Sequence, residues 1–116
     1  MIVIAATIDY ANQVSRDAAV TASASIQLAT RVDETGCQAY CFAADPSVAT
    51  RIQVYELWDD GLSLAAHFEH ANYFIMRDVL REYGITGAWN RMYLVDKSEP
   101  VYAVDGSARH TFFADE

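Results

Sequence analysis

Two side chains able to move protons lie close together in the stretch ELWDDGLSLAAHFEHANYF, which runs from Glu56 to Phe74. His67 is the sharper candidate, because an unperturbed imidazole has a pKa of about 6.5 and exchanges protons near neutral pH. On a helix, His67 falls at the margin of the apolar face, from which its ring can point into the gap between helix and sheet. The alternative is a half-buried histidine bonded to a carbonyl or a neighbouring carboxylate.

Glu56 and Trp58 occupy one face of a predicted strand, because side chains two residues apart point the same way. A carboxylate on an apolar face is costly unless it has a partner. Glu56 can accept a hydrogen bond from His67 and so set its tautomer, or it can pair with Arg51, Arg91 or an arginine of a partner chain. Trp58 suits a planar phenolic ligand, although core packing explains it equally well.

Several aromatic and polar side chains can line a ligand pocket near these residues. Tyr40, Tyr55 and Arg91 lie on predicted strands and can contact a ligand that carries aromatic oxygens; burial in the core or at a dimer interface is the alternative. The first helix carries alanine and serine where leucine usually fills the sheet-facing stripe. That composition predicts either a cavity beneath this helix or close helix–sheet packing.

Metal binding and nucleotide binding are not expected. Three or four convergent ligands are needed for a metal site, and the pair His67 and His70 is weak support, with His70 expected in solvent. Cys37 and Cys41 share one face of a predicted strand about 13 Å apart, too far for a disulfide with each other. We expect buried thiols. The sequence contains no glycine-rich phosphate loop and no nucleophile elbow.

Composition and charge limit the possible partners. The 116 residues carry 8 basic and 16 acidic side chains, so the formal net charge is −8. That balance repels phosphate backbones and anionic lipid, and no apolar run approaches the ~20 residues of a membrane span. The first residues read as a strand rather than a signal peptide. We therefore expect a cytoplasmic protein that binds neither nucleic acid nor membrane.

The hydrophobic pattern predicts an α+β protein with the ferredoxin-like order β-α-β-β-α-β. A left-handed Gly36 is expected at the end of the first helix and Gly84 at the end of the second. The predicted elements, in chain order, are Ile2–Ile8, Gln13–Thr35, Cys37–Ala43, Arg51–Trp58, Leu62–Tyr83 and Ala88–Val95.

The predicted sheet has apolar residues on both faces, but both helices pack on only one of them. A bare apolar face needs a cover, so we expect a homodimer formed by sheet-on-sheet packing. The tail Lys97–Glu116 is predicted to form two short extended segments around Asp105-Gly106 that dock on the domain or on the partner subunit. A loosely held terminus is the alternative.

Two segments resemble the antibiotic biosynthesis monooxygenase family, whose members form dimeric α+β barrels. They are DETGCQAY and RIQVYELWDDGLSLAAHFEHANYF. The family pattern joins a helix end reading acidic-x-Gly-Cys to a Glu-x-Trp strand and then to a helix with a histidine about eleven residues after that Glu. The residues on this pattern are Gly36, Cys37, Glu56, Trp58, His67 and Tyr73. The likeness covers roughly residues 1–96, which we take as the domain, and leaves out the tail 97–116.

The resemblance implies an oxygenase that acts on a quinol, polyphenol or anthrone with O2 and without a metal or flavin. His67 would be the base, oriented by Glu56, while Asn72 and Arg91 would hydrogen-bond the developing oxyanion and Tyr73 would contact the substrate. Asn72 stands where many members have a second histidine, so a two-histidine mechanism is not expected. Residues 1–11 contain no Asn and residues 71–90 no His, unlike the haem-degrading members. The alternatives are an isomerase or cyclase of an enolisable carbonyl compound, and a non-catalytic dimer that binds a hydrophobic metabolite.

Overall fold

A four-stranded antiparallel sheet carries three helices on one face in the computed structural model, which describes residues 1–113. The elements are β1 (Ile2–Tyr10), α1 (Gln13–Asp33), β2 (Cys37–Ala44), β3 (Arg51–Trp58), α2 (Gly61–Glu69), α3 (Ala71–Glu82) and β4 (Ile85–Leu94). The strand order is β2-β3-β1-β4, so β1 and β3 are central and β4 lies at an edge. The predicted ferredoxin-like α+β fold is confirmed.

The register of the sheet sorts its side chains into two faces. Ile4 lies opposite Glu56 on β3 and opposite Met92 on β4, and these residues share the face that carries the helices. The core lies on this inner face, where Ile52 and Trp58 are completely buried. Alternation of apolar residues along β3 therefore builds the core, as the sequence pattern predicts.

Helix α1 packs closely on the sheet through its small residues. Asn12 caps its start by accepting a hydrogen bond from the Ser15 backbone N–H at 2.9 Å. Ala19 and Ser23, two of its small residues, are completely buried. Of the two readings of this small-residue stripe, the structure therefore has close packing.

Gly36 fixes how the end of α1 approaches the start of α2. Its φ of +84° is left-handed, as predicted, and a Cβ added there would collide with the side chain of Ser63. Only glycine meets both conditions without strain. Because α2 carries His67, this close approach helps to set the position of the candidate site.

The second predicted helix, Leu62–Tyr83, is wrong as a single element. The structure has two helices, because His70 adopts extended backbone angles (φ −80°, ψ 146°) between α2 and α3. The Nδ1 atom of His70 accepts a hydrogen bond from the Asn72 backbone N–H at 3.0 Å and so caps α3. His70 therefore has a structural role, whereas the sequence placed it in solvent. Strand β4 also begins earlier than predicted, at Ile85.

The outer sheet face is uncovered in the single chain and carries large aromatic side chains. Tyr55, Trp89 and Tyr93 are 48%, 45% and 48% exposed. Cys41 also lies on this face and is exposed, contrary to the expected burial, while Cys37 is half-buried. The exposed aromatic surface is the one that the sequence predicts to be a dimer interface.

The tail forms a small hairpin around the predicted turn. Tyr102 pairs with Ala108 across Asp105-Gly106, and Gly106 has a φ of +88°. Residues 114–116 of the predicted tail lie outside the described residues. Docking of this tail on the domain or on a partner subunit stays a prediction. In residues 1–113, no helix combines the length and apolar character needed to cross a membrane.

Candidate active site

A cavity of about 440 Å³ lies between the inner sheet face and the helices α2 and α3. This volume is in the range of small-molecule sites. Arg77, Ile85 and Met92 border its outer side, where Met92 on the edge strand β4 is 57% exposed. Its lining includes, towards the protein core, Tyr40, Glu56, His67, Tyr73, Met76 and Leu80.

His67 lies in the gap between helix and sheet that its predicted position indicated. The residue is 2% exposed, and its ring lies 4.6 Å from the Trp58 ring between centroids, with 34° between the planes. The rings of Tyr40 and Tyr73 approach it edge-on, each at 5.5 Å. Together with the Phe68 ring at 5.7 Å, these aromatic rings hold the imidazole in one orientation.

Glu34 orients the imidazole. Its Oε1 atom lies 2.8 Å from the Nδ1 atom of His67, and its Oε2 atom accepts a hydrogen bond from the Asn72 side-chain amide at 3.2 Å. With Glu34 as a carboxylate, Nδ1 must carry the hydrogen, so the lone pair of the ring is on Nε2. No side chain among residues 1–113 forms a hydrogen bond with Nε2. Since every buried side-chain nitrogen or oxygen in these residues has a hydrogen-bond partner, Nε2 is not fully buried. Nε2 therefore faces the cavity.

The charge state of His67 follows from burial and from Glu34. Burial lowers its pKa below the usual 6.5, while the hydrogen bond and the negative charge of Glu34 raise it again by less. The net pKa is below 6.5, so the ring is neutral at pH 7. A neutral ring with a free Nε2 lone pair can accept a proton from a ligand in the cavity.

Glu34 is the residue that sequence reasoning missed. It caps the end of α1 and is 33 residues from His67 in the chain. The sequence signal for Glu34 was the acidic-x-Gly-Cys segment at the end of the first helix. Glu34 is the acidic residue of that segment, but no role was predicted for it. The predicted bond from His67 to Glu56 is absent because Glu34 occupies the Nδ1 side of the ring.

Glu56 lies in the cavity wall, where no basic side chain among residues 1–113 pairs with it. Its Oε1 atom accepts a hydrogen bond from the Trp58 indole N–H at 3.0 Å, and the residue is 7% exposed. The predicted alternative of an ion pair within the chain is also absent for Arg51, which pairs with Asp9 at 2.9 Å. Burial and the charge of Glu34 raise the pKa of Glu56 to about 7, although the Trp58 hydrogen bond lowers it in part.

The predicted ligand contacts divide into two groups. Tyr40 and Tyr73 line the cavity. Trp58 and Asn72 do not, because Trp58 is completely buried beneath His67 and Glu56, and the Asn72 amide is bonded to Glu34. Trp58 therefore supports His67 and Glu56, and Asn72 supports Glu34, whereas the sequence suggested that Trp58 and Asn72 contact a ligand directly.

Tyr55 and Arg91 lie on the outer face of the sheet and not with His67. Both are opposite Ala5 in the register, whereas Glu56 is opposite Ile4 on the inner face. Arg91 borders the cavity, but its guanidinium lies over the Trp89 ring at 5.5 Å and donates to the Asn90 carbonyl. The alternation of β3 and β4 separates these two side chains from His67.

The remaining lining is mainly apolar, and Met76 and Leu80 of α3 were not among the predicted site residues. Arg77 brings a cation to the cavity, where it pairs with Asp78 at 3.2 Å and lies over the Phe74 ring. In the part of the chain that the structure describes, no group of three or more His, Cys, Asp or Glu side chains is arranged to hold a metal ion.

Comparison with known proteins identifies relatives by fold. No family model matches the sequence, and no curated protein matches it. Among solved structures, a Deinococcus radiodurans protein provisionally named an antibiotic biosynthesis monooxygenase superposes with a TM-score of 0.77 at 19% identity. The match covers 89% of this chain and 100% of the other.

Two further solved structures of proteins with the same provisional name share this fold. The protein from Nitrosomonas europaea has a TM-score of 0.70 at 19% identity, covering 84% of this chain and 100% of its own. The protein from Caulobacter crescentus has a TM-score of 0.69 at 12% identity, covering 84% and 91%. The predicted resemblance is thus confirmed at the level of fold: the chain is built like proteins that carry this name. At these identities the likeness extends to the fold alone.

Proposed function

We propose that this chain is a cofactor-independent monooxygenase that oxidises an electron-rich fused-ring phenol, quinol or anthrone with O2. The observation that carries the proposal is the buried Glu34–His67 pair, which leaves a neutral Nε2 facing a largely apolar cavity. The fold shared with proteins named as monooxygenases supports the same class. An apolar cavity also keeps water from reactive intermediates.

The reaction can be written for an anthrone, which carries a CH2 group opposite its carbonyl. His67 Nε2 takes one proton from the CH2 carbon, and the electron pair moves into the carbonyl to give an enolate. The enolate transfers one electron to O2, and the resulting radicals combine to form a carbon–oxygen bond. The imidazolium returns its proton to the peroxide. Loss of water with the second hydrogen leaves a new carbonyl, so one oxygen atom enters the product and the other enters water.

We also propose that the chain works as a homodimer through its outer sheet face. Tyr55, Trp89 and Tyr93 form an exposed aromatic surface there, and exposed patches of this kind mark protein interfaces. Two copies packed face to face would cover it, and the cavity on the inner face would stay open in each subunit.

Oxygen consumption by metal-free protein tests the proposed function. With anthrone and chelator present, we expect uptake above the buffer blank, and His67→Ala to reduce it by on the order of 10²-fold or more. His110→Ala is the matched control, because His110 lies exposed in the tail, and should behave as the unsubstituted protein. No uptake by folded protein would contradict the oxygenase. If deuterium from D2O still entered an enolisable carbonyl compound through His67, the isomerase alternative would take its place.

A further inference from the structure

Glu56 is a buried acid in the cavity wall to which the mechanism above gives no task. It lies on the inner face of β3, between Ile4 of β1 and Tyr40 of β2 in the register. Trp58 donates to its Oε1 atom, and no side chain among the described residues bonds its Oε2 atom. Every buried polar side-chain atom in that part of the chain has a hydrogen-bond partner, so Oε2, which has none, is not fully buried. Since Glu56 lines the cavity, Oε2 reaches the cavity surface.

The groups around Glu56 favour its protonated form. The nearby titratable or charged side chains, from the elements packed against it, are Glu34, Cys37, Tyr40, His67, Tyr73 and Arg77. Of these, Glu34 is an anion and Arg77 is engaged with Asp78. Burial and Glu34 raise the pKa of Glu56 to about 7. At pH 6 the carboxyl is therefore mostly protonated.

Trp58 decides where the proton of the acid lies. A carboxylic acid has one oxygen that accepts and one O–H that donates. Since the indole N–H occupies Oε1, the donor is Oε2, which faces the cavity. The same indole stacks on His67, so one side chain positions both the acid and the base.

We propose that Glu56 is a neutral acid that donates a hydrogen bond from Oε2 to the carbonyl oxygen of a fused-ring aromatic ketone held in the cavity. The proposal deepens the proposed function and rests on it in taking this cavity as the ligand site. It narrows the ligand class to ketones. In such a ketone, Glu56 binds the carbonyl oxygen and His67 removes a proton from the same ring system. A neutral acid at this place would stabilise the enolate oxygen as its charge develops.

Binding of fluorenone and fluorene to the unsubstituted protein tests the proposal without turnover. These tricyclic compounds differ only by a carbonyl in place of CH2, and neither ionises near neutral pH. At pH 6 we expect fluorenone to bind about five- to tenfold more tightly than fluorene. This ratio corresponds to the free energy of one hydrogen bond. The preference should vanish by about pH 8.5, because an ionised Glu56 cannot donate and repels the carbonyl oxygen.

Two substitutions separate a neutral donor from an anionic base. Glu56→Gln keeps the size and a neutral N–H donor, so its preference for fluorenone should persist at pH 6 and at pH 8.5. Glu56→Leu has no donor and should lose the preference at both. Glu69→Gln, at an exposed position on α2, is the control and should follow the unsubstituted protein.

Three outcomes would overturn the proposal: no fluorenone preference at pH 6 (including no binding of either compound), a preference that grows with pH, or its loss at both pH values in Glu56→Gln. None of these measurements needs O2 or product formation. A failure of Glu56 as a donor is therefore distinguishable from a failure of the oxygenase function.

Discussion

At the residue scale, the candidate site depends on a carboxylate–imidazole pair that is almost fully buried. The side chains of Glu34 and His67 are 4% and 2% exposed, and burial of an unpaired carboxylate would be costly. Hydrogen bonds from His67 and Asn72 to the two carboxylate oxygens offset that cost. The same bonds hold the imidazole so that Nε2 faces the cavity, which makes Glu34 a positioning residue for His67.

Substitution of Glu34 tests this positioning role. Glu34→Gln removes the charge that raises the pKa of His67, so that pKa falls further below 6.5. Below its pKa the base is protonated and inactive, so the acid limb of the pH–rate profile should move to lower pH. We expect kcat for anthrone oxidation to fall on the order of 10- to 10²-fold, with KM nearly unchanged. This factor corresponds to the free energy of a hydrogen bond to a charged group.

The control for Glu34→Gln is Glu69→Gln, which makes the same chemical change at an exposed site on α2. It should leave both kcat and the pH profile as they were. An acid limb that moves to higher pH in Glu34→Gln, or does not move, would show that Glu34 does not act on His67 as described.

The sequence identified His67 but not its partner, for a physical reason. Helical periodicity and spacing from the Glu-x-Trp strand are local, and they suffice to aim His67 at the gap between helix and sheet. Glu34 meets it only because α1 ends where α2 begins to cover the sheet. Trp58 was expected to contact a ligand, since period-two alternation places a side chain on a face but does not reveal how deeply it is buried.

At the element scale, the junction between α1 and β2 determines where α2 sits. Gly36 lies against Ser63 in the first turn of α2, so closely that a Cβ has no room. Asp60 caps the same helix by accepting a hydrogen bond from the Ser63 backbone N–H at 2.8 Å. Any side chain at Gly36 would push this turn outwards, and His67 would move with it.

Two glycine-to-alanine substitutions separate backbone strain from this packing. Gly36→Ala and Gly84→Ala both place a side chain at a left-handed φ, +84° and +82°, which costs roughly 1–2 kcal/mol. A Cβ at Gly84 meets nothing within 4 Å. We therefore expect urea unfolding to give a larger loss of unfolding free energy for Gly36→Ala, by at least about 1 kcal/mol, and only this variant to lose oxygenase activity. Equal losses in both variants would contradict the packing role.

The order of elements was predictable, but the division of the second helix was not. No proline or glycine lies between Leu62 and Tyr83, so the apolar period reads through His70 without interruption. The break depends on the imidazole of His70 capping α3, and histidine is a weak capping signal in sequence. Its consequence is large, because α3 is thereby set so that Asn72 reaches Glu34 and Tyr73 reaches His67.

At the scale of the whole molecule, we propose that two copies of the chain assemble through the outer sheet face. An aspartate at Tyr93 would place a charge in the proposed interface twice, once from each subunit of a symmetric dimer. We expect Tyr93→Asp to raise the dimer dissociation constant by on the order of 10²-fold, measured by sedimentation equilibrium. Val14→Asp adds the same charge on α1, at a residue that is 79% exposed, and should leave the constant unchanged. A dimer unaffected by Tyr93→Asp would place the interface elsewhere.

The most direct test of the central claim is the fate of the oxygen atoms. Metal-free protein should be incubated with anthrone under ¹⁸O2 in ordinary water, and the anthraquinone formed should be analysed by mass spectrometry. We expect one ¹⁸O atom in each product molecule and none when the label is in the water instead. Product that takes its oxygen from water, or product formed equally fast by His67→Ala, would contradict a cofactor-independent monooxygenase with His67 as its base.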